Sequence, residues 1–355
     1  MLENIAYCPI LHTRRAEMKA LLQLPMATKD RIFPVVVARP WPNAKDIART
    51  WEKIAEAFGD RRFALDLDST RFGNVSDKPA AKQFDALFNP VDGSANYYNL
   101  IESMAPAIPV LRTKNGEAPE FDRQLERIED LDRGLVCRFH FSDGAGVFPL
   151  VERVVEQFPD LTIVVDTGWT RDLLSREQWA SQVIQRITEA KPETEIVVTG
   201  SSFPDSFANV TARAICDLRE RMLFANLVRR HNAATLVYGD WGSTRPTPDP
   251  TPMKIVPRID LPMRDNWIFF RQDKTIAVPE TYLDIATRML SDSMWPNDLN
   301  IWGTYAIQCT ADDLPGGIKS PATAAAVRIN IHLHQQAFFG AAEIANDGDE
   351  PYTDN

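Results

Sequence analysis

The sequence predicts an α/β fold: a (β/α)8 barrel of the TIM type over residues 1–245, followed by a C-terminal α+β appendage. Three observations predict it. Eight short β-rich runs recur along roughly the first 240 residues, most of them separated by stretches with helical spacing. Ionisable residues collect at the C-terminal ends of those runs, while the N-terminal halves are apolar. Near residue 245 the chain passes into alternating prolines and changes character.

The runs are IAYCPILH (5–12), IFPVVVA (32–38), RFALDLD (62–68), AIPVLRT (107–113), GLVCRFHF (134–141), LTIVVDT (161–167), EIVVTGS (195–201) and ATLVYGD (234–240). RRAEMKALLQL follows the first and AKDIARTWEKIAEAF the second, with Ile47, Trp51, Ile54, Ala55 and Phe58 expected on one helix face. FPLVERVVEQF, WASQVIQRITEA and SFANVTARAICDLRERMLFANLVRRH are read as the helical links between the later runs. Strands alternating with helices imply right-handed βαβ units and a parallel sheet, and eight units match a barrel. An open doubly wound sheet usually carries a glycine-rich first turn, and HTRRAE holds no glycine.

RPTPDPTP (245–252) has four prolines in eight residues, which excludes helix and interior strand and marks residues 246–252 as a stiff connector. In the appendage, 253–345, KIVPRIDLP and NWIFFRQ read as two strands joined by a short turn, and PETYLDIATRMLSDSM as a helix. PATAAAVRINIHLHQQAFFG is ambiguous: its alanines favour helix, whereas VRINIHLH alternates with period two. The acidic tail 346–355 lacks apolar content and is expected to be disordered.

Hydrophobic residues at 44% and charged residues at 25% give globular composition. A net charge of −10 argues against a general nucleic-acid coat protein, which needs a basic face. Cys8, Cys137, Cys216 and Cys309 form no CxxC pair, and two lie in apolar runs, so they read as reduced. The N-terminal stretch shows neither signal-peptide pattern nor membrane span, and a cytoplasmic location with no membrane partner is the expectation.

Period-two alternation turns Asp66 and Asp68, Arg138 and His140, and Asp166 into the barrel; Arg112, Ser201 and Asp240 end their strands. Active sites of such barrels form at this face. Asp66, Asp68, His140, Asp166 and Asp240 are therefore the candidate acid–base groups, and Arg112, Arg138, Ser201, Trp241 and Arg245 the candidate substrate-binding groups. Asp66, Asp68 and Asp166 could also hold a hard divalent cation such as Mg²⁺. The opposing reading is a layer of Arg–Asp pairs that closes the barrel top without chemistry.

His332 and His334 would share a face on a strand but diverge by about 200° on a helix, so joint metal ligation needs the strand. Trp41 and Trp241 lie just past strand ends, placed to stack on a ligand or to cap the core. SDGAG (142–146) and DTGWT (166–170) are glycine turns that could present N–H groups to an anion. No Walker motif, GxSxG elbow, HExxH or Rossmann fingerprint is present.

The opening YCPILHTRRAEMKAL, the strand–helix series, YGDWGSTRP, and the closing IWGTYAIQC and GGIKSPATAAAVRINIHLHQQ together resemble the beta protein family of phages and bacterial genomes. The likeness spans nearly the whole chain. In the first loop His12, Arg14 and Arg15 stand near a position where the family is expected to hold lysine. The resemblance implies a barrel protein in a setting of phage–host conflict, with no settled reaction. Combined with the residues, the expectation is an effector that acts on an anionic, phosphate-bearing substrate at the barrel mouth by hydrolysis. The alternative is a non-catalytic module, which senses a nucleotide or binds a protein partner through residues 253–345.

Overall fold

A computed structural model describes residues 1–71, 77–113, 118–246, 256–272 and 278–341. Eight parallel strands form the barrel: β1 (Cys8–His12), β2 (Val35–Ala38), β3 (Phe63–Leu67), β4 (Ala107–Pro109), β5 (Leu135–His140), β6 (Leu161–Trp169), β7 (Glu195–Ser201) and, after the inserted strand β8 (Arg213–Asp217), β9 (Leu236–Asp240). They lie in the order β4-β3-β2-β1-β9-β7-β6-β5. A parallel bridge between Val110 and Val136 closes the ring, with the Leu111 N–H donating to the Val136 carbonyl at 2.9 Å.

The helices around it are α1 (Arg15–Leu22), α2 (Met26–Lys29), α3 (Ala48–Phe58), α4 (Pro79–Ala86), α5 (Val91–Ser103), α6 (Ala118–Leu131), α7 (Phe148–Gln157), α8 (Leu174–Ala190) and α9 (Arg219–Arg230). The barrel interior is packed by Cys8, Ile10, Val35, Val37, Ala64, Ile108, Val110, Val136, Val164 and Val197. These small and branched side chains fill a narrow tapering space. Gly239 belongs to the same layer: a Cβ there would stand 2.5 Å from the Cys8 carbonyl oxygen. A larger core lies outside the strands, where Leu11, Val36, Leu65, Ile163 and Val198 meet the helices. On α3, Ile54 and Phe58 are buried as their spacing predicts, but Ala57 faces the core and Ala55 is exposed.

The predicted helical link before the last barrel strand is corrected by the structure. Only α9 is helical, and β8 pairs antiparallel with β11 (Asn266–Arg271), which in turn pairs with β10 (Arg258–Pro262). The three-stranded sheet thus joins a segment of the first 245 residues to the appendage. Helices α10 (Val278–Leu290), α11 (Trp302–Ala311) and α12 (Pro321–Ala337) complete the appendage.

The ambiguous last segment is helical. Ser320 caps α12 by accepting the Thr323 N–H at 3.2 Å, and Pro321 takes the first helical position. Every residue from Ala326 to Ala337 is buried. Such a helix is covered on all sides, so its sequence loses the amphipathic period. Asn330 secures it, donating to the Ala20 carbonyl on α1 at 3.0 Å and accepting the Gly303 N–H at 3.0 Å. Residues 247–252 of the proline connector and the 346–355 tail lie outside the described residues.

Candidate functional site

The C-terminal mouth of the barrel holds a cavity of about 490 Å³, lined by His12, Asp66, Asp68, Arg112, Arg138, His140 and Trp241 among others. A chain of charges crosses it. Arg112 Nη1 donates to Asp66 Oδ1 at 2.9 Å, and Arg138 Nη1 to Asp66 Oδ2 at 2.6 Å. Arg138 also directs Nε and Nη2 at Asp166 Oδ2, at 3.1 and 2.9 Å. Trp241 Nε1 donates to Asp166 Oδ1 at 3.2 Å, and its ring lies 5.0 Å beneath the Arg138 guanidinium. On the far side Arg39 Nη2 meets Asp68 Oδ2 at 2.6 Å, and Thr70 Oγ1 meets Asp68 Oδ1 at 2.6 Å.

Burial would raise the Asp166 carboxyl, but Arg138, His140, the Gly168 N–H and the Trp241 N–H outweigh it and hold the group below the usual carboxylate range. Burial likewise opposes the Arg138 charge, and Asp166 and Asp66 reverse that effect, so the guanidinium stays charged. His12 is pushed well below its ordinary value, first by burial and then by the charges of Arg14, Arg39 and Arg138. It is neutral at neutral pH, its ring tilted against Trp241 with centroids 5.3 Å apart, and its Nδ1 is unpartnered.

A second cavity of about 310 Å³ opens at the same end, lined by Arg14, Arg39, Arg71, Lys78 and Trp41. Its described lining residues include four cations and no acid. Arg39 joins it to the mouth through its pair with Asp68.

The structure brings together Asp66, Asp68, Arg112, Arg138, His140, Asp166 and Trp241 as expected from their positions, with Asp166 bound beneath the cavity by Arg138 and Trp241. It does not bring Asp240. That residue points outward, where its carboxylate accepts from the hydroxyls of Tyr7 and Tyr238, the Gly242 N–H and His332 Nε2. Gly239 and Trp241 take the inward positions at that strand end. Ser201 is occupied by the backbone: its hydroxyl donates to the Thr244 carbonyl at 2.6 Å and accepts the Phe203 N–H at 3.3 Å. Arg245 is half-buried and lines neither cavity.

The carboxylates read as cation ligands face guanidinium groups instead: Asp66 and Asp166 share Arg138, and Asp68 pairs with Arg39. Among the described residues no group of three or more His, Cys, Asp or Glu is disposed to hold a metal. His332 and His334 sit on a helix and diverge, His332 to Asp240 and His334 to Thr28 Oγ1 at 2.8 Å. In the two glycine turns, the Ser142 N–H is spent on His140 Nδ1 and the Gly168 N–H on Asp166.

His12, Arg39, Thr70 and the basic cavity are additions. The first two were legible, since LH ends the first run and Arg39 directly follows the second, the same strand ends that held the others.

Comparison with known proteins agrees with the fold-wide pattern. The family model described as Beta protein matches residues 7–338. Protein beta of Enterobacteria phage P4 is 28% identical over 342 residues, which cover 94% of this chain and 93% of that protein.

Proposed function

From a chain that belongs to the Beta protein family, and whose barrel mouth opens beside a cavity lined by Arg14, Arg39, Arg71 and Lys78, we propose a hydrolase of phosphate-bearing anions that acts in phage–host conflict. The basic cavity carries the reading. Arg14, Arg39, Arg71 and Lys78 supply positive charge to a phosphate, and Trp41 supplies a stacking face for an attached ring. Arg112 and Arg138, fixed by Asp66 and Asp166, orient the rest of the substrate across the mouth. Guanidinium groups that are already held in place need no reorganisation as charge develops. His140 is the acid–base group: its Nδ1 accepts the Ser142 N–H at 3.1 Å, so the neutral ring carries its proton on Nε2. That the similar protein belongs to a phage supports the setting.

A second reading, nucleotide sensing without turnover, draws support from Asp66, Asp68 and Asp166, each already paired with arginine. One experiment separates them. A panel of nucleotides and phosphate esters is titrated calorimetrically and assayed for phosphate release. The double variant Arg71→Gln, Lys78→Gln is expected to weaken binding by about tenfold or more, and His140→Ala to retain binding and lose release. Binding without release in the unaltered protein selects the sensor. Binding indifferent to Arg71 and Lys78 removes both readings.

A further inference from the structure

The basic cavity beside the barrel mouth is lined by two unlike sets of residues. Arg14, Arg39 and Arg71 belong to the first, whose charge is assigned to phosphate above. Pro40, Trp41, Ala80, Ala81 and Phe84 form the second, and Asn43 stands with them. A free phosphate would use only the first set, and a sugar phosphate has no flat ring to lay against the second. The two sets together match a molecule with an anionic end and an aromatic ring. The volume of about 310 Å³ lies at the small end of the range for ligand pockets, which suits one nucleotide rather than a chain of them.

A turn fixes the residues that would meet the ring. Trp41, Pro42, Asn43 and Ala44 form it, and the Ala44 N–H closes it on the Trp41 carbonyl at 3.0 Å. Proline at the second position and a φ of +65° at Asn43 make it a type II turn, whose third position takes glycine or asparagine. Proline on each side restricts the Trp41 backbone, and the Trp41 N–H donates to Thr50 Oγ1 at 2.9 Å. Glycine would meet the conformation of residue 43 at no steric cost. Asparagine adds an exposed carboxamide at the cavity, and the turn is closed by backbone without it. A carboxamide offers a donor and an acceptor side by side, the pattern with which asparagine pairs to the edge of a base.

We propose, on the strength of the phosphate reading above, that this cavity is a nucleotide site: the base stacks on Trp41, Asn43 reads its edge, and the phosphate lies on the arginines. Stacking accepts any base, because each has a π-face, and Asn43 supplies the discrimination among them. Such a site serves a hydrolase and a sensor alike.

AMP, GMP, CMP, UMP and ribose 5-phosphate are titrated separately by calorimetry into the unaltered full chain. Each carries one phosphate on a ribose, so the arginine contribution cancels and any difference belongs to the base. At least one nucleotide is expected to bind about tenfold or more tighter than ribose 5-phosphate. Asn43→Gly keeps the turn, because glycine takes a positive φ without strain, and removes the amide. It should weaken the preferred nucleotide by about fivefold or more and leave ribose 5-phosphate unchanged. Ribose 5-phosphate bound as tightly as every nucleotide overturns the nucleotide site and leaves the phosphate reading standing. No saturable binding of any of these ligands overturns the phosphate reading and this site with it. A base preference that survives Asn43→Gly at full size puts the base elsewhere and overturns the assignment to this cavity.

Discussion

His332 Nε2 lies 2.7 Å from Asp240 Oδ2 and ties the last helix, α12, to the end of the last barrel strand, β9. Burial would raise the Asp240 carboxyl, but His332 and the hydroxyls of Tyr7 and Tyr238 hold it below the usual range. The carboxylate therefore only accepts, and His332 donates. Asp240→Ala leaves two tyrosines and a histidine facing an empty buried site. The expected loss is about 1–3 kcal/mol of stability for each buried donor left without its acceptor, measured by urea unfolding. Binding at the mouth, per folded molecule, should not change. A folded Asp240→Ala protein that loses mouth binding contradicts the outward placement.

The same strand end explains what the sequence left illegible. Alternation placed Asp66, Arg138, His140 and Asp166 because apolar neighbours of unequal size marked the outer face. In YGD that mark is missing: Gly239 has no side chain to pack, yet it is the inward residue because Cys8 and Thr199 crowd it. Tyr238 and Asp240 share the outer face, and only the unseen partner α12 makes a charge acceptable there. Helix α12 itself was hidden by burial on every side, which erases the helical period. Strand β8 was hidden for the opposite reason, since its residues are exposed or half-buried and its pairing partner lies about fifty residues downstream.

Arg138 should behave as the keystone of the mouth. Its removal takes the ion pair from buried Asp166 and leaves Asp66 with Arg112 alone. Arg138→Gln is expected to cost about 3–5 kcal/mol. Adding Asp66→Asn and Asp166→Asn should recover part of that loss, because neutral amides need no counter-charge. The comparison of unfolding midpoints across the three proteins checks it, and equal losses in the single and triple variants would mean the charges are not coupled.

Glu220 gives the stability an alkaline slope. Burial, then the charge of Asp240, raises its carboxyl to about 8, against hydrogen bonds from Ser202 that act the other way. The folded state keeps a proton that the unfolded state gives up near pH 4.3, the approximate free value. The folded chain binds more protons in this window, so the Glu220 contribution falls as pH rises toward about 8. Asp166, Asp240 and Asp260 run oppositely: their contributions are complete above the ordinary Asp value of about 3.9 and fade as pH falls through their lowered folded values. Glu220→Gln should flatten the slope between about pH 5 and about pH 8 and leave the acid limb intact. Urea midpoints measured across pH decide it; an unchanged slope removes Glu220 as the cause.

Gly168 tests the role assigned to His140. Its φ is +69°, and an added Cβ would come 2.9 Å from His140 Nε2 and 3.3 Å from Cε1. The imidazole rests on the space that glycine leaves, so Gly168→Ala must move the ring or the backbone. The left-handed conformation alone costs an alanine about 1–2 kcal/mol, which a barrel of this size should survive. Arg71, Lys78 and Trp41 line the other cavity and are unaffected. Gly168→Ala should therefore bind phosphate esters as the unaltered protein does and lose most phosphate release. Release at full rate from the folded variant would mean that the proton is moved by a group other than His140, and neutral His12, across the mouth with Nδ1 unpartnered, is then the residue to change.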